Sequence, residues 1–190
     1  MKIRVSNGLD PRFGELLVAR SDQVRRELAA SLKQPGARPV MLGVFQKRNR
    51  CGGRAGMARN LADMVAGIEA ASRRGVQMLA MPEMALQGYF TPVSGTVEEA
   101  IRANRELAVK VGASAELRHL QRAARAAKMV VAFGFGERAN GAIYNSIGLI
   151  DADGAWLGVR RKNPLYPWDY ETKVFAEPHP ARRCCVFATR

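Results

Sequence analysis

Two stretches of the chain carry charged residues where a reacting group would need them. Met81-Pro82-Glu83-Met84-Ala85-Leu86-Gln87-Gly88-Tyr89 places a carboxylate at the end of one apolar run, and Arg161-Lys162 places an ammonium at the end of another. In α/β sheets, ligands bind in crevices outside the carboxyl ends of the strands. A Glu held there against apolar neighbours such as Met84 and Leu86 would suit a general base near neutral pH. A Lys at the root of the stiff aromatic loop Asn163-Pro164-Leu165-Tyr166-Pro167-Trp168 could stabilise an oxyanion. Glu171 offers a second carboxylate that would orient Lys162 or merely pair with it. A Glu and a Lys that converge in one pocket make two parts of a hydrolytic site, and the third part is a nucleophile. The plainer readings are a surface Glu capping the next segment and a basic run, Arg160-Arg161-Lys162, at a strand end. Taken alone, Glu83 divides evenly between its two readings, whereas for Lys162 spacing favours the plain basic run.

Other constellations are weaker. Gly134-Phe135-Gly136-Glu137-Arg138-Ala139 superficially matches a dinucleotide fingerprint, which needs a helix opening at its second half to meet phosphate. Here Asn140-Gly141 and a strand from Ile143 follow, so no nucleotide site is expected. The three cysteines (Cys51, Cys184, Cys185) and two histidines (His119, His179) lack metal-ligand spacing. No metal and no cofactor is expected. A Cys184 or Cys185 nucleophile served by His179 has nothing in the sequence to place it in a pocket.

The elements that would position Glu83 and Lys162 follow from hydrophobic periodicity. Met41 to Phe45 reads as a buried strand, followed by a Gly- and Arg-rich loop from Lys47 to Gly56. Asn60 would help start a helix with Leu61, Met64, Val65 and Ile68 at helical spacing. Gly75 ends it, and Val76 to Met81 is the next buried strand. A second helix covers about Ala115 to Lys128, and Met129 to Phe133 is another apolar strand. Ile143 to Ile150 and Trp156 to Arg160 flank Asp151-Ala152-Asp153-Gly154, a hairpin signal. The order, strand–helix–strand–helix–strand–strand–strand, predicts an α/β layered fold with helices covering a mixed sheet. Residues 1–38 are thin in apolar positions and read as an N-terminal extension, with the domain proper at 39–190.

With 190 residues, 47% of them hydrophobic, the chain can bury a substantial core. Its net charge of +13 comes from 23 Arg against 7 Lys. The arginines are scattered in ones and twos without interleaved aromatics, so solvated helix faces account for them better than a nucleic-acid footprint. Few, unpatterned cysteines suggest a reducing compartment. No apolar run resembles a signal peptide or reaches the length of a membrane span, so the expectation is a cytoplasmic protein with no membrane partner.

These residues, in this order, resemble the nitrilase superfamily, the carbon–nitrogen hydrolases. The likeness runs from Gly43-Val44-Phe45-Gln46 through Asn60, Arg74-Gly75-Val76 to Pro82-Glu83 and Gly88-Tyr89. It resumes at Gly134 to Glu137, Tyr144-Asn145-Ser146, Asp153-Gly154 and Arg161-Lys162. The resemblance implies an α–β–β–α sandwich and a Glu–Lys–Cys site that cleaves non-peptide C–N bonds of a small amide, carbamoyl compound or nitrile. It implies Glu83 as general base, Lys162 as stabiliser of the tetrahedral intermediate and, more loosely, Glu171 as a positioning carboxylate. Tyr89, Tyr166 and Trp168 would shape the pocket.

The family nucleophile is a Cys downstream of the lysine, followed by an aromatic and an acidic residue. Val186-Phe187-Ala188-Thr189-Arg190 looks like the strand entering that region, and neither Cys184 nor Cys185 is followed by the motif. The chain as written is therefore expected to be truncated before its nucleophile strand and inactive alone. A half-sandwich would expose a sheet face, which favours a homo-oligomer or a complex. The competing reading is a non-catalytic protein that uses its sandwich surface to bind a partner.

Overall fold

Apolar strands that alternate with helices stack their inward side chains on one another, and here they build a five-stranded mixed sheet. A computed structural model describes residues 40–90, 95–166, 171–178, 187 and 189. The expected extension at 1–38, and Trp168, His179, Cys184 and Cys185, lie outside the described residues. The elements in chain order are β1 (Leu42–Val44), α1 (Gly53–Ser72), β2 (Met78–Ala80), α2 (Val97–Leu107), α3 (Ala115–Ala127), β3 (Val130–Ala139), β4 (Ala142–Ile150), β5 (Trp156–Arg161) and α4 (Glu171–Val174). Strands β1, β2 and β3 run parallel, and β3, β4 and β5 form an antiparallel meander. The mixed sheet read from the sequence is thus the sheet observed.

Helices cover one face. Met64 and Ile68 of α1 and Leu117, Leu120 and Ala124 of α3 meet Leu79, Val131, Phe133, Phe135 and Ile150 in one buried cluster. Phe133 stacks tilted against Phe135 at 5.5 Å and Trp156 at 6.1 Å between ring centroids. The opposite face is covered at one end, where Ile143 joins Met84, Leu165, Val174 and Phe175 in a second buried cluster, and exposed apolar side chains remain beyond it. Register places Leu42, Val44 and Ile147 together on it, and they are 63%, 74% and 48% exposed. The first strand was expected to be buried. Instead it is an edge strand with one uncovered face.

Three other expectations change. The first helix opens at Gly53, seven residues before Asn60, so the preceding loop is shorter than expected. Asn60 is fully buried in mid-helix, where its amide accepts from Lys47 Nζ and the Arg50 N–H and donates to the Arg50 and Leu86 carbonyls. It ties the loop after β1 to the loop after β2. Helix α2 was not anticipated, although its start is written in Thr96 and Glu99. The Thr96 hydroxyl accepts from the Glu99 N–H while the Glu99 carboxylate accepts from the Thr96 N–H. Finally, the strand expected to end at Phe133 runs on through Gly134 to Ala139 as β3.

Candidate active site

Glu83 leaves the end of β2 on a turn pressed against β3. The Gly134 N–H donates to the Pro82 carbonyl at 3.1 Å, and the Leu86 N–H donates to the Gly134 carbonyl at 3.3 Å. A Cβ at Gly134 would stand 2.5 Å from Met84 N and 2.6 Å from Glu83 Cα, so only glycine admits this approach. Met84 itself adopts φ 50°, a left-handed conformation that a methionine tolerates only when its surroundings hold it there. From the other side, the Asn49 side chain donates to the Glu83 carbonyl at 2.8 Å. The backbone of Glu83 is therefore clamped while its carboxylate stays accessible. The side chain is 46% exposed, and the apolar enclosure expected from Met84 and Leu86 is absent because both turn into the interior.

Lys162 follows β5, and its N–H extends the β4–β5 ladder by donating to the Asn145 carbonyl at 2.7 Å. Alternation then sends neighbouring cations to opposite faces. Arg161 donates to both carboxylate oxygens of Glu137, at 2.8 and 2.9 Å, and lies 3.6 Å above the Tyr144 ring centroid. Ser146 completes that cluster by donating to Glu137 Oε2 at 2.9 Å. The clamp ties β3, β4 and β5 together and fixes the register in which Lys162 points the other way.

On that side Lys162 Nζ sits between two carboxylates, 2.9 Å from Glu83 Oε1 and 2.7 Å from Glu171 Oε1. Glu171 opens the single turn α4 and is fully buried. Its Oε1 also accepts from the Tyr89 hydroxyl at 2.5 Å, and its Oε2 accepts from the Tyr166 N–H at 2.7 Å. Burial pushes the Glu171 carboxyl up, but the donors Lys162, Tyr89 and Tyr166 more than offset this and hold it below the usual range. Burial pulls the Lys162 ammonium down, and the two carboxylates outweigh it to leave it raised. Both groups are thus held charged at neutral pH. Asn145 joins them, donating from Nδ2 to Glu83 Oε1 at 2.6 Å and to Glu171 Oε1 at 3.3 Å.

The structure therefore brings together Glu83, Lys162, Glu171 and Tyr89 from the sequence-derived set. Tyr166 meets the site through its backbone, and the residue is 55% exposed. Asn145 was legible only as part of Tyr144-Asn145-Ser146; the missed signal is a polar side chain in the middle of an otherwise apolar strand. An open depression of about 390 Å³ adjoins the cluster, lined by Met81, Glu83, Asn145, Ile147, Arg160 and Lys162 among others. Cys51 is the free cysteine among the described residues. Its thiol donates to the Tyr89 carbonyl at 3.3 Å, and burial pushes it up, opposite to what an activated nucleophile needs. Among the described residues no three His, Cys, Asp or Glu side chains cluster as metal ligands would, and no helix is long and apolar enough to cross a membrane.

A carboxylate and an ammonium at strand ends, set by a second carboxylate, are groups that can act as base and oxyanion-stabilising cation. Residues 47–189 match the carbon–nitrogen hydrolase family, and the chain belongs to that family, within the nitrilase superfamily. It is 31% identical over 129 residues to an aliphatic nitrilase of Rhodococcus rhodochrous, covering 63% of this chain and 33% of that protein. Its fold is similar to an amidase from a Nesterenkonia species, with a TM-score of 0.56 and 19% identity over 74% of this chain and 48% of that one. A carbon–nitrogen hydrolase from Helicobacter pylori G27 aligns with a TM-score of 0.57 and 19% identity, covering 74% of this chain and 45% of that one. A variant of the Nesterenkonia amidase in which acrylamide has added to the active-site cysteine aligns at 0.60 and 17%, covering 74% and 50%. The chain thus spans a third of the nitrilase and about half of the solved hydrolases.

Proposed function

We propose that this chain supplies the base and the oxyanion-stabilising cation of an enzyme that hydrolyses a non-peptide C–N bond in a small amide, carbamoyl compound or nitrile. The observation that carries this reading is Lys162 Nζ held between Glu83 and Glu171 at the rim of an open depression. Glu83 takes the proton of a cysteine thiol, and the thiolate attacks the substrate carbon. Lys162 stabilises the negative charge that develops on the substrate oxygen or nitrogen. For an amide, Glu83 returns its proton to the leaving amine as the C–N bond breaks, leaving a thioester. Glu83 then deprotonates a water, whose attack releases the acid and restores the thiol. Glu171 holds Lys162 in place without meeting the substrate. The thiol these residues serve lies outside the described residues. An active-site cysteine in the Nesterenkonia amidase supports this assignment by analogy.

The test is ammonia release from a panel of small aliphatic amides and nitriles by the gene product as cells make it, with its intact mass recorded. Glu83→Gln and Lys162→Ala should each lower kcat/KM by on the order of 10³-fold. Turnover that survives Glu83→Gln undiminished would overturn the reading. The exposed apolar residues Leu42, Val44 and Ile147 on one sheet face favour a second reading, a partner-binding protein that keeps the site unused. Absence of ammonia release together with a stoichiometric co-purifying partner would decide for it.

A further inference from the structure

The two carboxylates at Lys162 pose an electrostatic problem. Their Oε1 atoms both lie within 3 Å of one Nζ, and like charges this close repel. One ammonium cannot compensate two negative charges. The other donors to Glu171 are Tyr89 and the Tyr166 N–H, and neither reaches Glu83. Besides Lys162, the one described group that donates to both is the Asn145 amide, 3% exposed on β4. An amide nitrogen carries two hydrogens, so it can serve both acceptors at once, and it does not titrate. Its place is fixed by register, since Asn145 pairs with Gly136 across the sheet and its carbonyl accepts the Lys162 N–H.

We propose that Asn145 is a positioning residue whose amide keeps Glu83 and Glu171 together on one ammonium and leaves Glu83 Oε2 as the oxygen that exchanges protons. Every described hydrogen bond to the Glu83 carboxylate falls on Oε1, from Lys162 and Asn145. Both donors occupy the same oxygen, so a proton arriving from a thiol or water is directed to Oε2. The role given to Oε2 rests on the hydrolase reading above. The charge-holding role of Asn145 does not. The charged and titratable groups facing the amide are Glu83, Lys162, Glu171 and Tyr89, with Arg160 and Arg161 lining the adjoining depression.

The reactivity of Lys162 toward acetic anhydride reads this arrangement without any need for turnover. In the 190-residue chain, acetylation of Lys162 is followed by peptide mass spectrometry at pH 8, with Lys128 and Lys173 as internal standards. Without the Asn145 amide, the two carboxylates repel each other with one donor fewer to hold them, one swings away from Nζ, and Lys162 loses part of its negative surroundings. Asn145→Ala should therefore speed Lys162 acetylation about tenfold relative to the standards, the effect of a one-unit shift in amine protonation. Asn145→Asp adds a third carboxylate of the same shape and should slow it below wild type. Opposite directions in the two variants are the signature of a charge-holding amide. Equal rates in all three proteins, or acceleration in both variants as loosened packing would give, would overturn the proposal. Should Asn145→Ala fail to fold, Asn145→Asp decides alone: slower acetylation supports the proposal, and unchanged or faster acetylation overturns it. Failure here leaves the ammonia-release test of the hydrolase reading untouched, and the converse holds as well.

Discussion

Replacing Glu171 with Gln keeps the shape of a fully buried side chain and removes the charge that meets Lys162 at 2.7 Å. The folded-state pKa of Glu171 lies below its ordinary value of 4.5. Its contribution to stability is therefore present above about pH 4.5 and is lost as pH falls through the lower, folded value. Glu171→Gln should cost on the order of 2 kcal/mol at pH 7 and flatten the acid limb of stability against pH, read by urea melts between pH 3 and 7. An unchanged acid limb would show that Glu171 is not the group being titrated. Lys162 has the opposite sign, since its raised pKa contributes below its ordinary 10.5 and is lost as pH rises beyond it. At this scale the sequence was most legible where residue type and motif coincide, as at Glu83, Lys162 and Glu171. Asn145 and Asn49 escaped because an amide in a strand or loop has no charge pattern, and only the fold reveals what it donates to.

Gly134 shows how an element can be misread for a sound reason. Glycines at 134 and 136 weaken a strand pattern and invite a loop, yet β3 runs straight through both. The missing side chain at Gly134 is required by another element, the Pro82 to Gln87 turn lying on the strand. Gly134→Ala should destabilise the fold by about 2–3 kcal/mol through overpacking and displace Glu83 from Lys162, seen as a lower thermal midpoint together with faster Lys162 acetylation. A variant with wild-type stability would mean that the turn yields without cost. Helix α2 escaped for a different reason. It is amphipathic but largely polar, and its clearest mark is the Thr96–Glu99 capping box rather than an apolar run. The antiparallel β4–β5 hairpin was legible because Asp151-Ala152-Asp153-Gly154 sits between two apolar runs and leaves the chain little choice.

For the described residues as a whole, helices α1 and α3 cover one side of the sheet and the other side is covered only in part. The uncovered part of that face carries Leu42 and Val44 on β1 and Ile147 on β4, and apolar sheet surface of this kind drives association. The 190-residue chain should therefore self-associate, and Val44→Lys combined with Ile147→Lys should shift its sedimentation toward the monomer. A wild-type chain that sediments as a monomer would show that the face is satisfied within the chain. This asymmetry also explains why β1 was expected to be buried. Its composition suits a strand covered on both faces, and composition cannot say where the second cover comes from. The site's own geometry has a further consequence, in time rather than in space. Lys162 meets Glu83 across 79 residues, Asn145 meets Glu83 across 62, and Tyr89 meets Glu171 across 82. None of these contacts can form within a local hairpin or a single helix. Each waits on the loop closures that join β2 to the β3–β5 meander, and such long-range closures come late and slowly. The cluster around Lys162 is thus a record of completed folding: until the last strands are zipped, the chain holds five polar side chains and no site.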